Sequence, residues 1–458
     1  MTKDKKSQGN SRRTFLKTAG AGAALAPMIL RSGYAQDAKK KTVASIGVGG
    51  SRGRYSRGGS IARAAGKLGK MIAVCDVDDI HSQQFSEAYG GIPKYRDYRE
   101  MIEKEKPEVV TIGTPDHWHI PIAITALRAG ADVYCEKPLT LTIAEGIHVR
   151  KVVKETGRVF QVGTQQRSEN DARFLKAVAL VQSGRLGKNV SAYVAIGGAP
   201  GHKLIEPEPV PEDLDWNMWV GPAPEADYSV QRRKMFRWFF EYSGGKMTDW
   251  GAHHIDIAQW ALGLSETGPA KVSAKGKFPD LIPPDTDWNA FLNGKSELPS
   301  THNTAMEFNI DLNFANGSTI NVNHFYQRDE KTKFPNGILF EGEDGRIFVN
   351  RGKLTGKPID DLTESDEKEL QDRMAELYGG KDRRGHMQNF FDCMEDRTQP
   401  VSDVESHHRT MTSCHLCNIA LMTGRDLEWD PVNENFGDDE YANQFLTRTQ
   451  RKEFATPE

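Results

Sequence analysis

Cysteine is scarce: five in 458 residues, at Cys75, Cys135, Cys393, Cys414 and Cys417. An odd count without regular spacing excludes a disulfide framework. Cys414-His415-Leu416-Cys417 has metal-like spacing, but no second pair completes a zinc site. These are read as buried structural thiols, and no metal is expected. Repeats of solenoid period are missing, as is any apolar run of the roughly 17–25 residues that a membrane span needs. A basic surface is missing too. Residues 1–35 hold Lys3, Lys5, Lys6, Arg12, Arg13, Lys17 and Arg31 against Asp4, a net +6; setting them aside takes the formal charge from −3 to −9. Such an acidic body argues against nucleic acid or an anionic membrane as partner.

Those first residues have an order of their own. Ser11-Arg12-Arg13-Thr14-Phe15-Leu16-Lys17 is a twin-arginine pattern, followed by an Ala/Gly-rich apolar run from Thr18 to Leu30 and a small-x-Ala cleavage site at Gly33-Tyr34-Ala35. The expectation is a signal peptide over 1–35, with the twin-arginine export machinery as partner and the periplasm as destination.

From Lys41 to about Thr164, strand and helix signals alternate. Short apolar runs at Val43–Val48, Met71–Asp76, Val109–Gly113, Asp132–Cys135 and Val159–Val162 read as strands, with helices from about Ser60, Asp79, Ile120 and Ile143 between them. Alternation of this kind implies an α/β domain, a parallel sheet with helices on both faces. One helix near Ala172–Gln182 then leads into runs at Val190–Ile196, Thr304–Phe314, Ser318–Tyr326 and Ile338–Phe340, some joined by hairpin signals such as Ala315-Asn316-Gly317. They predict an α+β domain with an open, mostly antiparallel sheet. The boundaries are 41–165 for a dinucleotide-binding Rossmann domain, 166–430 for a substrate and oligomerisation domain, and 431–458 for a polar tail.

Gly47-Val48-Gly49-Gly50-Ser51-Arg52-Gly53 follows the first strand directly. Glycines there allow a tight turn and a close backbone approach to a pyrophosphate at a helix N-terminus. The strict Gly-x-Gly-x-x-Gly spacing is not met, because Arg52 holds the third glycine's position and Gly53 is one residue late. Asp76, at the end of the second strand, is placed to accept hydrogen bonds from the adenosine ribose and to repel a 2′-phosphate, which favours NAD over NADP. The third strand ends in Thr114-Pro115-Asp116-His117-Trp118-His119, where the ligand crevice of such sheets lies. The fourth ends in Glu136-Lys137-Pro138; the proline forces an abrupt exit and presents Lys137 at the crevice. An ammonium beside a nicotinamide favours a developing alkoxide.

These motifs, with a later segment around Asp249, resemble the glucose–fructose oxidoreductase / inositol dehydrogenase / rhizopine-catabolism (Gfo/Idh/MocA) family over nearly all of 41–451, and its exported twin-arginine members most. The resemblance implies a Rossmann domain plus a C-terminal open sheet that often serves oligomerisation, hence a homo-oligomer, and a sugar, glycoside or polyol as substrate. It implies Lys137, Asp249 and His253 as the catalytic set: His253 as the base, Asp249 orienting substrate or imidazole. Four residues apart, Asp249 and His253 share a face if the segment is helical. Gln165 matches a stretch beside the nicotinamide. Arg167, Arg237, Tyr242 and His254 are the candidate substrate contacts, although core packing is the simpler reading for most aromatics of Phe236–Tyr242. The expected activity is a dehydrogenase that holds its NAD tightly and recycles it in place, since the periplasm offers little free cofactor. The alternative is an NAD-dependent, redox-neutral glycosidase acting by transient oxidation and elimination. The relatives of that type lack the lysine of Glu-Lys-Pro, and Lys137 is present.

Overall fold

The computed structural model describes residues 40–50 and 56–458. The expected signal peptide, Arg52 and Gly53 lie outside the described residues.

The first domain is built on β1 (Thr42–Ile46), β2 (Lys70–Cys75), β3 (Lys94–Tyr95), β4 (Val109–Ile112), β5 (Asp132–Glu136) and β6 (Phe160–Gly163), all parallel in the order 3-2-1-4-5-6. Strands covered on both faces read as near-continuous apolar runs. Val109–Ile112 and Phe160–Gly163 are accordingly buried at every position. The connecting helices are α1 (Arg57–Leu68), α2 (Asp79–Ala88), α3 (Tyr98–Glu105), α4 (His119–Arg128) and α5 (Ile143–Thr156). Each start has a local cause. Ser56 accepts from Gly59 N, Asp78 from Ile80 N and Asp97 from Arg99 N, while Thr142 and Glu145 form a capping box; a cap of this kind contributes about 1 kcal/mol. The Ser56 cap starts α1 three residues before the expected Ser60. The two-residue β3 is too short to be read from the sequence; α3 was not expected either, although Tyr98, Met101 and Ile102 form a buried i, i+3, i+4 face on it.

The second domain opens with α6 (Arg173–Gln182) and a strand β7 (Ser191–Ile196), followed by α7 (Trp216–Val220), α8 (Val230–Lys234) and α9 (Ala252–Ala261). Its sheet adds β8 (Lys271–Lys277), β9 (Glu307–Asn313), β10 (Thr319–Asn323), β13 (Asn336–Gly342), β14 (Gly345–Val349), β15 (Leu354–Thr355) and β16 (Leu427–Glu428); β11 (Tyr326–Gln327) and β12 (Lys333–Phe334) form a separate ribbon. The order is 15-14-13-7-10-9-8-16, antiparallel except for β7 with β10. The expected run 318–326 therefore divides between β10 and β11. In β9, Phe308, Ile310 and Leu312 are buried and alternate with Glu307, Asn309 and Asp311 on the other face, the period-two signature of a half-covered sheet.

The helix Val404–Thr423 packs on both α5 and α9, and one continuous apolar core runs from Ile124 and Val133 in the first domain to Ile255 and Phe340 in the second. All five cysteines are free and buried. Residues 431–458 do not stand off as a tail: Phe454 is buried with its ring 5.7 Å from that of Trp118, and Arg99 Nη1 donates to Glu453 O at 3.1 Å. Among the described residues no helix is long and apolar enough to cross a membrane.

Candidate active site

A cavity of about 420 Å³ lies along the carboxyl ends of the parallel strands and reaches into the second domain. β1 and β4 are neighbours from which the chain departs in opposite directions, the switch point where such sheets bind ligands. Gly47, Gly49, Gly50, Asp76, Thr114, Asp116, Trp118, Glu136, Lys137, Gln165, Arg237, Asp249 and His253, all singled out from sequence, line it.

At one end, the turn after β1 needs its glycines. Gly47 has φ +73°, in the left-handed region, and a Cβ on Gly58 would lie 1.7 Å from Gly47 O. Close helix–strand packing is the third glycine's task in a dinucleotide fingerprint. Here Gly58, within the first turn of α1, performs it, and the sequence reading missed this because it measured from Gly47 rather than from the Ser56 cap. Asp76 Oδ2 accepts from Val48 N and Gly49 N, both at 3.0 Å, and Oδ1 accepts from Asp78 N at 3.0 Å. The carboxylate thus ties the turn to the end of β2. A turn with no room for a Cβ, a capped helix N-terminus behind it and an acid at the end of β2 are the features a dinucleotide requires, so the residues present fit NAD.

At the other end, β5 delivers Lys137 through a cis Lys137–Pro138 bond. Lys137 Nζ donates to Asp249 Oδ1 at 2.7 Å and to Asp249 O at 2.8 Å; Arg237 Nε is 3.5 Å from the same Oδ1. Burial raises the Asp249 pKa, but the Lys137 and Arg237 charges outweigh it and hold the group at about 2. Residues 247–251 form a π-helical turn ahead of α9, rather than the plain α-helix assumed from the four-residue spacing. Widened turns of this kind favour functional sites, and Asp249 and His253 still line the same wall. The His253 Nδ1 is buried without a hydrogen-bond partner. Burial, then the Lys137 and Arg351 charges, push the His253 pKa well below 6.5, so the imidazole is neutral at physiological pH.

Glu136 pairs with Arg57 Nε at 2.8 Å and accepts from Gln165 Nε2 at 2.8 Å, which fixes Gln165 on the wall. Asp116 accepts a short hydrogen bond from Ser243 Oγ, and burial raises its pKa against the pull of His119 and Arg237.

Five expected site residues do not line the cavity. His117 is turned into an aromatic cluster with Trp219 and Tyr242, its Nε2 2.9 Å from Trp219 O, and burial lowers its pKa to about 4. Tyr242 is fully buried in the same cluster. His119 spans two loops, with Nδ1 2.6 Å from Pro138 O and Nε2 3.1 Å from Thr114 O, so it braces the wall from behind. Arg167 is locked to Asp256 by bonds of 2.8 and 2.6 Å and lies over the Trp260 ring. His254 sits between Gln166 and Asn336. His117 and His119 flank the wall residue Trp118, and His254 follows the wall residue His253; successive side chains of a helical turn point to different faces.

The sequence reading also missed Arg57, His81, Trp219, Arg233, Lys234 and Arg351, which line the cavity. Arg351 lies 4.6 Å over the Trp250 ring. These come from the long segment between β7 and α9, a hairpin end and helix starts, and carry no local motif; only Trp219, in the run Trp216–Val220, has a periodic signal.

Residues 41–164 match the model of an oxidoreductase family with an NAD-binding Rossmann fold (GFO_IDH_MocA), and residues 180–282 and 296–456 match that family's C-terminal alpha/beta domain. The D-glucoside 3-dehydrogenase of Escherichia coli is 24% identical over 295 residues, 61% of this chain and 74% of that enzyme. The inositol 2-dehydrogenase of Salmonella typhimurium is 31% identical over 126 residues, 27% of this chain and 37% of that enzyme. Among solved structures, the WlbA dehydrogenase from Bordetella pertussis, in complex with NADH and UDP-GlcNAcA, superposes with a TM-score of 0.58 at 17% identity, over 86% of this chain and 98% of that one. The chain is an oxidoreductase that belongs to the Gfo/Idh/MocA family and carries its NAD-binding fold.

Proposed function

We propose that the protein oxidises a ring hydroxyl of a sugar, glycoside or polyol, with Lys137, Asp249 and His253 as the reacting groups. The observation that carries this reading is the Lys137–Asp249 pair at 2.7 Å on the same cavity wall as a neutral His253. NAD, when bound, supplies the hydride acceptor.

The protein's own groups account for the rest. An ammonium has three donors; Asp249 takes two from Lys137 through Oδ1 and its carbonyl, leaving one N–H for the substrate oxygen. Its charge favours that oxygen as it becomes alkoxide-like. The unprotonated His253 accepts the hydroxyl proton. Asp249, ionised, holds Lys137 aimed. Arg237, Trp250 and Arg351 surround this end with one apolar ring face and two cations, groups suited to sugar C–H surfaces and hydroxyls. Asp76 favours NAD over NADP, and the glycine turn, Glu136 and Gln165 are the groups that would hold it. The names of the relatives, a glucoside dehydrogenase and an inositol dehydrogenase, support the substrate class.

The twin-arginine pattern supports export in the folded state to the periplasm, with cofactor already bound and recycled in place by a second substrate. The test is single turnover. Purified protein loaded with NAD is mixed with glucosides and inositols, and NADH absorbance is followed at one equivalent of bound cofactor. A burst on any of them supports the reading. Release of a free sugar bearing solvent deuterium at C2, with no net NADH, assigns the redox-neutral glycosidase instead. Neither result with any sugar or polyol refutes both.

A further inference from the structure

The segment between β7 and α9 leaves its own sheet and lies along the end of β2. Leu214 bridges to Asp78 in an antiparallel pair, Asp79 N donates to Asp213 O at 2.9 Å, and Asp215 N donates to Val77 O at 2.9 Å. Twenty residues later the same segment returns. Arg233 Nη2 meets Asp78 Oδ2 at 2.6 Å, with the Asp78 side chain fully buried. Between these two attachments the chain contributes Met218 and Trp219 to the cavity, and directly at the second it contributes Arg233 and Lys234. Asp76, His81 and Arg96 line that cavity from the first domain.

The end of β2 is where the adenosine ribose of a dinucleotide sits. We infer that residues 213–234 are a strap over the adenosine half of the cofactor site, and that Arg233 and Lys234 are cofactor-binding residues supplied by the second domain. Their charges complement the phosphates of the dinucleotide. The strap also sets the release rate. The adenosine end opens only when the Arg233–Asp78 pair and the backbone bonds at 213–215 part together. Differences in affinity within one site are mostly differences in off-rate, so loosening the strap speeds release far more than it slows capture. This inference rests on the reading that the cofactor stays bound through turnover, and names the device that keeps it there.

Removing Arg233 alone would take the 2.6 Å ion-pair partner from a buried carboxylate and risks unfolding. The double variant Asp78→Asn/Arg233→Gln removes both charges together and keeps the α2 cap, because asparagine caps as well as aspartate. Lys234→Met is the second variant; it leaves the ion pair intact and removes one wall charge. Full-length protein is loaded with NADH, mixed with excess NAD, and the loss of bound NADH fluorescence is timed. Slow release from the wild type, at least ten-fold faster release from the double variant and several-fold faster release from Lys234→Met are expected. Equal rates for the wild type and every variant that folds overturn the strap while retention of cofactor stands. Release from the wild type within seconds overturns retention, and the strap with it.

Discussion

Lys137 and Asp249 stand 112 residues apart in the chain, and Lys137 Nζ meets Asp249 Oδ1 at 2.7 Å on the wall of the cavity. One comes from the end of a parallel strand and the other from a π-helical turn in the second domain. The pair therefore exists only when both domains are folded and packed.

Lys137→Met removes the donor that faces the substrate oxygen. Turnover falls by about 10²–10³-fold or more, the range seen on losing one oxyanion donor, while NAD still binds because the glycine turn is untouched. Steady-state rates and cofactor stoichiometry, measured on one preparation, check both halves. Near-full activity would place the chemistry elsewhere.

The acid limb of the pH–kcat/KM profile lies below pH 6.5. His253 is held neutral by burial and by the Lys137 and Arg351 charges, so its proton returns only at a pH below the free imidazole's value. In Arg351→Met, which removes one of those charges, the limb moves toward higher pH. A wild-type limb at or above 6.5 would show that His253 is not the titrating base.

Gly58→Ala pushes α1 away from Gly47 O, which a Cβ would approach to 1.7 Å. Over-packing of this kind costs about 1–3 kcal/mol, and here it also widens the dinucleotide turn. Weaker NAD binding with lower stability is expected by calorimetry and denaturant unfolding. Unchanged cofactor affinity would mean that the helix start does not form the site.

Arg167→Gln separates a structural role from a substrate role. The Arg167 and Asp256 side chains are 4% and 0% exposed, and breaking a buried pair by removing one partner costs about 3–5 kcal/mol. Stability falls by that order while KM of the folded fraction stays put. A large rise in KM with stability unchanged would return Arg167 to the substrate site.

Much of the first domain was legible because strands buried on both faces are near-continuous apolar runs, as Val109–Ile112 is apart from Thr111 and as Val133–Cys135 is. Lys137 and Asp249 were legible as parts of motifs. What could not be read was the third dimension of the loops. His117 and Trp118 are adjacent, yet one faces an aromatic cluster and the other the cavity. Arg233 enters the site only because a segment far along the chain bridges back to Asp78. Gly58 was overlooked because the helix begins where a serine side chain caps it, and no count of glycine spacing contains that information.

Phe454, buried against Trp118, has a bearing on the order of events during synthesis. Trp118 forms part of the cavity wall, and its far side is completed by a residue that leaves the ribosome long after it. The Rossmann strands can pair while the rest of the chain is still being made, but their crevice has an unfinished back until Phe454 arrives. The wall behind Trp118 is therefore complete only once the chain has been made as far as Phe454.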